Sequence, residues 1–410
     1  MAKGNRYFSF LTPFENDIIV LFLFLFFISP VIQLISGVNI TNLLFLVTGI
    51  TTVYGFLTKG LSKYHLVALV IFGAFLLFGA INGYLNHFQL RNIIYELTYY
   101  LKPFVFFYFA LYFVRPIHFK RLLWLIFWGM IITIPLYIFS APDFIDLSRV
   151  RLRNIGYEIS DSAYFSGTLL KNGFVVPRNP TFLLSYLDSA YVLFFLSAFY
   201  VVTLKSLKNI SKILLIIISG LLFLTTFTRS ALIALPVAVL TWLFMNVKSR
   251  NIKLGIVGFC IIAGLLSLAI FYNQIVFLFF HQESASIHWV NIFDALKQLS
   301  KYPLGTGLGS SGWQGDSTSP LYMYSEGSIF TSLLELGIQF IGWYIALAVF
   351  VWNKSKKVLF PILSGYFVIA LLLPIGFSTQ FNLLFFVALG ILSKPDSFLR
   401  EPKESLYLNN

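Results

Sequence analysis

The stretch 17–36, DIIVLFLFLFFISPVIQLIS, is decisive for the fold. It has a single charged residue, Asp17, at its first position, and almost all the others are apolar. An α-helix that crosses the hydrocarbon core of a bilayer needs about 20 such residues. Further apolar runs of similar length follow along the chain, without the alternating pattern of a membrane β-barrel. The sequence therefore predicts an all-α protein with several membrane-spanning helices.

The composition of the whole chain supports this interpretation. Of the 410 residues, 58% are hydrophobic, 19% are aromatic and only 11% are charged, whereas a soluble domain has about 25% charged residues. These values exclude a soluble domain, a disordered chain, collagen and a coiled coil. The net charge is +13, but the basic residues cluster in short gaps between apolar runs. We therefore expect them to set membrane orientation and expect no nucleic-acid partner.

The apolar runs predict about twelve membrane-spanning helices within a single integral membrane domain, 1–410. Their predicted limits are 17–36, 40–58, 65–85, 94–114, 119–140, 184–204, 211–228, 230–247, 252–273, 326–351, 357–373 and 376–393. With the N-terminus inside, most of the 29 Lys and Arg residues fall in short inner segments. The positive-inside rule then predicts that both termini are cytoplasmic.

Two of the predicted outer segments are long, 141–183 and 274–325. Loops of more than about 15 residues are usually functional or disordered, and neither segment has the low complexity or high charge of a disordered one. We therefore expect the chemistry on the outer face. Cys260 is the only cysteine and the five His residues lack metal-ligand spacing, so the sequence predicts no metal and no cofactor.

Several outer arginines depart from the positive-inside bias. Arg149, Arg151 and Arg153 form a period-two run, and Arg178 lies in a proline-braced turn just before a span. The guanidinium group is a planar, permanently charged fork that suits phosphate oxygens. Pairing with the carboxylates of the same loop is the alternative.

Arg229 lies in the sequence TTFTRSA, 225–231, a hydroxyl-rich break between two apolar runs. An ionisable residue at such a depth is a functional candidate because its desolvation must be compensated by a partner. An anionic ligand such as a lipid diphosphate is the functional interpretation. The alternative is that the side chain only reaches to the membrane interface.

The second long loop contains His288 and Trp289 at the start of an amphipathic helix that extends to about residue 301. The sequence YPLGTGLG, 302–309, follows, and its glycines permit tight backbone geometry near a ligand. A nucleotide-binding loop is excluded there because no strand precedes the glycines and no Lys-Ser/Thr follows them.

Carboxylates lie beside and within the predicted spans. Glu326 falls at the outer end of the tenth span, where it either caps the helix or accepts a proton from substrate. Glu335 lies about 13 Å deeper in the same helix and needs a partner or a proton. Glu96 and Lys102 share the fourth span, and each is expected to pair with another helix.

Taken together, these residues favour glycosyl transfer from a lipid-diphosphate donor. Arginines stabilise a leaving diphosphate, a carboxylate activates an acceptor hydroxyl, and aromatic side chains stack on sugar rings. Aromatic residues of the second long outer segment that could serve in this way include Trp289, Trp313, Tyr322 and Tyr324.

Three elements, in this order, resemble the O-antigen polymerase/ligase family of bacterial inner-membrane proteins. They are TRSA at 228–231, the run from His288-Trp289 to PLGTGLG at 303–309, and EGS…LLELG over 326–337. The resemblance implies a glycosyltransferase C-type fold with long periplasmic loops and a periplasmic active site. It implies an undecaprenyl-diphosphate-linked donor and acceptor, contact with membrane lipid, and a chain-length regulator protein as partner.

The same resemblance implies roles for individual residues. Glu326 and Arg229 are the implied catalytic residues. The residues of the outer loops, taken with the resemblance, predict substrate binding by Arg178, Arg149, Arg151, Arg153, His288, Trp289 and Tyr324. Ligases of the family carry a histidine followed by Asn, Ser or Gln, then nine residues and a glycine, whereas counting back from Gly337 in this sequence places Glu326 and Gly327 on the first two positions. This difference favours a polysaccharide polymerase over a ligase, and a lipid-linked oligosaccharide flippase is a third hypothesis.

Overall fold

The computed structural model describes residues 12–154, 167–169, 175–204, 210–226, 228–276, 283–312, 315, 317–323, 325 and 327–394. The helices are α1 (Thr12–Ser36), α2 (Ile40–Lys59), α3 (Lys63–Leu85), α4 (Leu90–Phe113), α5 (Pro116–Asn154), α6 (Tyr186–Val202), α7 (Ile210–Thr225), α8 (Arg229–Asn246), α9 (Arg250–Val276), α10 (Glu283–Lys301), α11 (Ser328–Leu336), α12 (Ile341–Ser355), α13 (Leu359–Leu372) and α14 (Thr379–Ser393). Two three-residue strands, β1 (Gly167–Leu169) and β2 (Val175–Pro177), pair antiparallel.

Five of the described helices are long and apolar enough to cross a membrane. They are Asp17–Ser36, Ile40–Lys59, Lys63–Leu85, Pro116–Phe139 and Arg229–Asn246. Their outward-facing side chains are also apolar, and α2 exposes Leu46, Ile50, Val53 and Leu57. Exposed apolar surface of this extent fits contact with lipid chains, because contact with water would be unfavourable. The fold is that of an all-α membrane protein, as the sequence predicts.

The centre of the bundle is α6, in which every residue from Ser189 to Tyr200 is buried. A helix that is apolar on all sides belongs in a core. Close helix packing is visible where α14 meets α4, because a Cβ atom on Gly390 would lie 2.4 Å from the carbonyl oxygen of Phe107. Small residues allow membrane helices to approach at this distance.

Hydrogen bonds join several helix termini at one end of the bundle. The backbone N–H of Asn179, before α6, donates to the Thr225 carbonyl at the end of α7, with an N···O distance of 3.0 Å. Ser378, before α14, donates from its hydroxyl to the Asp188 carboxylate at 2.8 Å. We call this end of the bundle, which carries Arg178, the arginine face.

The opposite end, the lysine face, contains Lys59, Arg115 and Lys394. The Lys59 ammonium group donates to the Tyr112 carbonyl at 2.7 Å. Burial, and secondly the positive charges of Lys59 and Arg115, lower the pKa of Lys394 to about 8. The charge distribution of the sequence predicts that this face is cytoplasmic.

The helix predicted over 326–351 is in fact two helices. α11 ends at Leu336 and has nine residues, which makes it about 13 Å long and too short to cross a bilayer. Gly337 then adopts a φ of +84°, a conformation that favours glycine. A Cβ atom at Gly337 would lie 2.4 Å from the backbone of Leu304. The prediction of one helix was wrong because this break depends on a contact with a distant loop.

The outer segments also contain more helix than expected. α5 has 39 residues and is about 58 Å long, so the beginning of the predicted loop 141–183 is helical. The amphipathic helix expected up to residue 301 is confirmed as α10. Its packed side contains Ala295, which is buried, whereas Phe293 is exposed.

Candidate functional site

The turn that carries Arg178 is fixed to the end of α7 through its neighbour Asn179. The Asn179 side-chain amide donates to the Thr225 hydroxyl at 3.1 Å, and its carbonyl oxygen accepts from the Thr181 backbone N–H at 2.9 Å. Asn179 is fully buried, so these bonds are shielded from water. The sequence Arg-Asn-Pro therefore places a cation next to a rigid anchor at the arginine face.

Arg229, the first residue of α8, lies close to this turn. The Arg178 guanidinium carbon is 4.6 Å from the ring centroid of Tyr186, and both Arg178 and Tyr186 act electrostatically on Arg229. Two arginines that are distant in sequence thus lie in one cluster, which we call the arginine pair. Both also make further contacts within the protein.

Two guanidinium groups held near each other repel, and the repulsion is stronger where water is partly excluded. An anion with several oxygens relieves this repulsion and accepts paired hydrogen bonds from each fork. The arginine pair is therefore suited to a phosphate or diphosphate group. One arginine that only reaches the membrane interface would offer a single guanidinium group, whereas the arginine pair offers two to the same anion.

Asp188 connects the arginine face to the interior. It lies in the first turn of α6, accepts a hydrogen bond from Ser378 at 2.8 Å, and acts electrostatically on Lys102. The Lys102 ammonium nitrogen is 3.9 Å from the ring centroid of Tyr99. Lys102 therefore feels the charge of a carboxylate on another helix, but it forms no ion pair among the described residues.

A buried polar network lies deeper in the bundle, between α4 and α11. The Tyr100 hydroxyl donates to one Glu335 carboxylate oxygen at 2.9 Å, and the Gly309 N–H donates to the other at 3.0 Å. Glu335 has no exposed surface. The expectation that this carboxyl needs a partner is confirmed, and the partners come from α4 and the glycine loop.

Glu96 lies beside this network and is 2% exposed. One of its carboxylate oxygens has no hydrogen-bond partner among the described residues. Tyr322 is nearby, and its hydroxyl donates to the Gly312 carbonyl at 3.0 Å. Burial, and secondly the charge of Glu96, raise the pKa of Tyr322 above its usual value. A buried carboxyl with an unpaired oxygen can hold or pass on a proton.

We expect Glu335→Leu to lower the free energy of unfolding by about 2–4 kcal/mol, because the Tyr100 hydroxyl and the Gly309 N–H lose their acceptor in a buried site. Glu335→Gln keeps one carbonyl acceptor and a similar shape, so its effect on stability should be smaller. Thermal melting of both variants in detergent checks this order. Equal melting temperatures for Glu335→Leu and the wild type would contradict it.

The glycine loop, residues 302–309, is held between α3 and α11. Its Gly307 N–H donates to the Glu335 carbonyl at 3.0 Å and its Leu308 N–H to the Gly79 carbonyl at 2.9 Å. A Cβ atom on Gly307 would lie 2.1 Å from the backbone nitrogen of Gly83. The glycines therefore allow close backbone contact and position the N–H of Gly309 toward Glu335.

The structure describes only some of the predicted site residues. Glu326 and Tyr324 lie outside the described residues. So do the side chains of Arg149, Arg151, Arg153, His288 and Trp289, whose backbones belong to α5 and α10. The neighbours of Glu326 are placed: Ser325 is buried, and a Cβ atom on Gly327 would lie 2.3 Å from the Leu371 carbonyl oxygen.

The residues that the sequence analysis did not assign to the site are Glu96, Tyr100, Lys102, Asp188 and Glu335. A charged residue inside an apolar run is the signal that identifies most of them. The sequence does not show that these residues come together in the fold, since Tyr100 and Glu335 are 235 residues apart.

In the comparisons with known proteins, no family model matches the chain and no curated protein matches it significantly.

Proposed function

We propose that this chain is a glycosyltransferase that polymerises lipid-linked oligosaccharide repeat units at the outer face of a bacterial inner membrane. It transfers a growing glycan from undecaprenyl diphosphate to the non-reducing end of a new lipid-linked unit. The reaction inverts the anomeric centre and needs no metal, as expected for an O-antigen or capsule type of polymerase with about twelve helices and a glycosyltransferase C-type fold.

The observation that carries the proposal is the arginine pair. Arg178 lies in a turn over the Tyr186 ring and acts electrostatically on Arg229, the first residue of α8, at the end of the bundle that the charge distribution predicts to face outward. A leaving diphosphate develops negative charge as the glycosidic bond breaks. Fixed cations at that position stabilise the transition state more than the ground state.

The acceptor hydroxyl must lose a proton as it attacks, and Glu326 is the proposed base. The arginines at 149, 151 and 153 are proposed to extend the diphosphate site, and His288, Trp289 and Tyr324 are proposed sugar contacts. Their positions in the two long predicted outer segments, 141–183 and 274–325, support this assignment. A chain-length regulator is the proposed protein partner.

A second candidate function is a proton-coupled flippase or transporter of the same lipid-linked units. The buried network of Glu96, Lys102 and Glu335 favours it, because ionisable residues within the bilayer are typical of proton pathways. An O-antigen ligase remains a third candidate because of the same family resemblance.

The lipid-linked product that accumulates when the gene is deleted tests the three candidates. We expect single repeat units on the carrier, exposed on the outer side of the inner membrane. Long glycans on the carrier would indicate a ligase, and units confined to the cytoplasmic side would indicate a flippase. Complementation with Glu326→Gln should leave single units, whereas a normal polysaccharide ladder from this variant would exclude Glu326 as the base.

A further inference from the structure

A groove of about 1060 Å³ lies between α2 and α4. Its walls are mainly apolar and include Gly49, Ile50 and Val53 of α2 and Leu101 and Val105 of α4. The absence of a side chain on Gly49 opens the groove, since a Cβ atom there would meet nothing within 4 Å.

The end of the groove at the arginine face is polar. It is lined by Asn42 near the start of α2 and by Arg91, Tyr95 and Thr98 near the start of α4. The Arg91 guanidinium carbon is 5.4 Å from the Tyr95 ring centroid. No carboxylate in the described part of the chain lies within ion-pair distance of Arg91. The positive charge at this end is thus available to an anionic headgroup.

The other end of the groove is closed by aromatic side chains. Phe56 and Tyr108 both line it, and their ring centroids are 5.1 Å apart. From Asn42 to Phe56 the groove follows α2 for about 21 Å, most of the thickness of a bilayer core. Its shape therefore suits one long apolar chain that carries a negative group at the arginine face.

We propose that this groove binds the isoprenoid chain of the second lipid-linked substrate, with its diphosphate at Arg91. The inference rests on the proposed function, which requires two lipid diphosphates at once, and the arginine pair provides a site for only one. The two sites lie on different sides of the bundle: α4 packs against α14, and α14 packs against α6, which begins beside the arginine pair. Each lipid can then approach from its own side.

The experiment counts the molecules of undecaprenyl diphosphate bound per chain, by native mass spectrometry of protein from phosphatidylcholine nanodiscs. We expect two molecules on the wild type and one on Gly49→Phe, whose ring fills the groove. Gly73→Phe on α3 is the matched control, since a Cβ atom at Gly73 also meets nothing within 4 Å and Gly73 does not line the groove. This control should bind two.

Arg91→Gln should weaken the second binding event at least tenfold and provides a variant that leaves the shape of the groove intact. Two molecules on Gly49→Phe, or displacement by phosphatidylglycerol at equal concentration, would overturn the groove proposal. The double variant Arg178→Gln, Arg229→Gln should retain the molecule in the groove. If this double variant still binds two and still makes polymer, the proposed function fails independently of the groove.

Discussion

Arg229→Gln and Arg178→Gln are each expected to reduce polymer formation by about 10²- to 10³-fold, the usual effect of removing one fixed donor that stabilises developing negative charge. Glutamine keeps much of the side-chain length and polarity, so the change isolates the loss of positive charge. The rate is measured with purified protein and lipid-linked repeat units, and the ladder of chain lengths is measured in a deletion strain complemented with each variant.

Two further variants make the result specific. Arg229→Lys retains a positive charge but loses the paired donors, so an intermediate rate is expected. Arg250→Gln removes an exposed arginine at the start of α9, away from the arginine face, and should give the wild-type ladder. Normal ladders from both Arg178→Gln and Arg229→Gln, at a normal protein level in the membrane, would refute the role of the arginine pair.

Gly307→Ala should lower the free energy of unfolding by about 3–5 kcal/mol, because backbone strain and overpacking act together. The φ of Gly307 is +100°, and a Cβ atom would lie 2.1 Å from the Gly83 nitrogen and 2.4 Å from its Cα atom. Both neighbours are backbone atoms of α3, so no side-chain rotation relieves the contact. Thermal melting in detergent and the amount of protein in the membrane measure the effect.

Gly73→Ala provides the matched control for this substitution. Gly73 lies on the same helix as Gly83, and a Cβ atom there meets nothing within 4 Å. Alanine favours the helix over glycine, so the stability should be unchanged or slightly higher. Equal melting temperatures for Gly307→Ala and Gly73→Ala would show that the glycine loop does not pack against α3 in solution.

The positions of most helices were predictable because each apolar run is a local signal. The run 17–36 lies within α1, and the runs at 40–58 and 230–247 differ from α2 and α8 by one residue at one or both ends. The break at Gly337 was not predictable in this way. Hydrophobicity continues through it, and the helix ends where the distant residue Leu304 occupies the adjacent space.

In the candidate site, too, single residues could be identified from the sequence, but their contacts could not. Arg178 and Arg229 stand out in the sequence because charge in the outer part of a membrane protein needs a reason. Their proximity depends on the bonds between Asn179 and Thr225, which join segments that no local pattern relates.

By itself, the sequence determined that this chain is an all-α membrane protein, and it identified the residues whose charge required an explanation. The energy of placing a side chain in lipid depends only on the residue and its neighbours along one helix, so it can be read locally. Only the tertiary structure decided which charges lie near each other, that Glu335 accepts a hydrogen bond from the Tyr100 hydroxyl, and that a groove lies between α2 and α4. These features depend on the packing of helices that are distant in sequence, and that packing is settled by the three-dimensional fit of their surfaces.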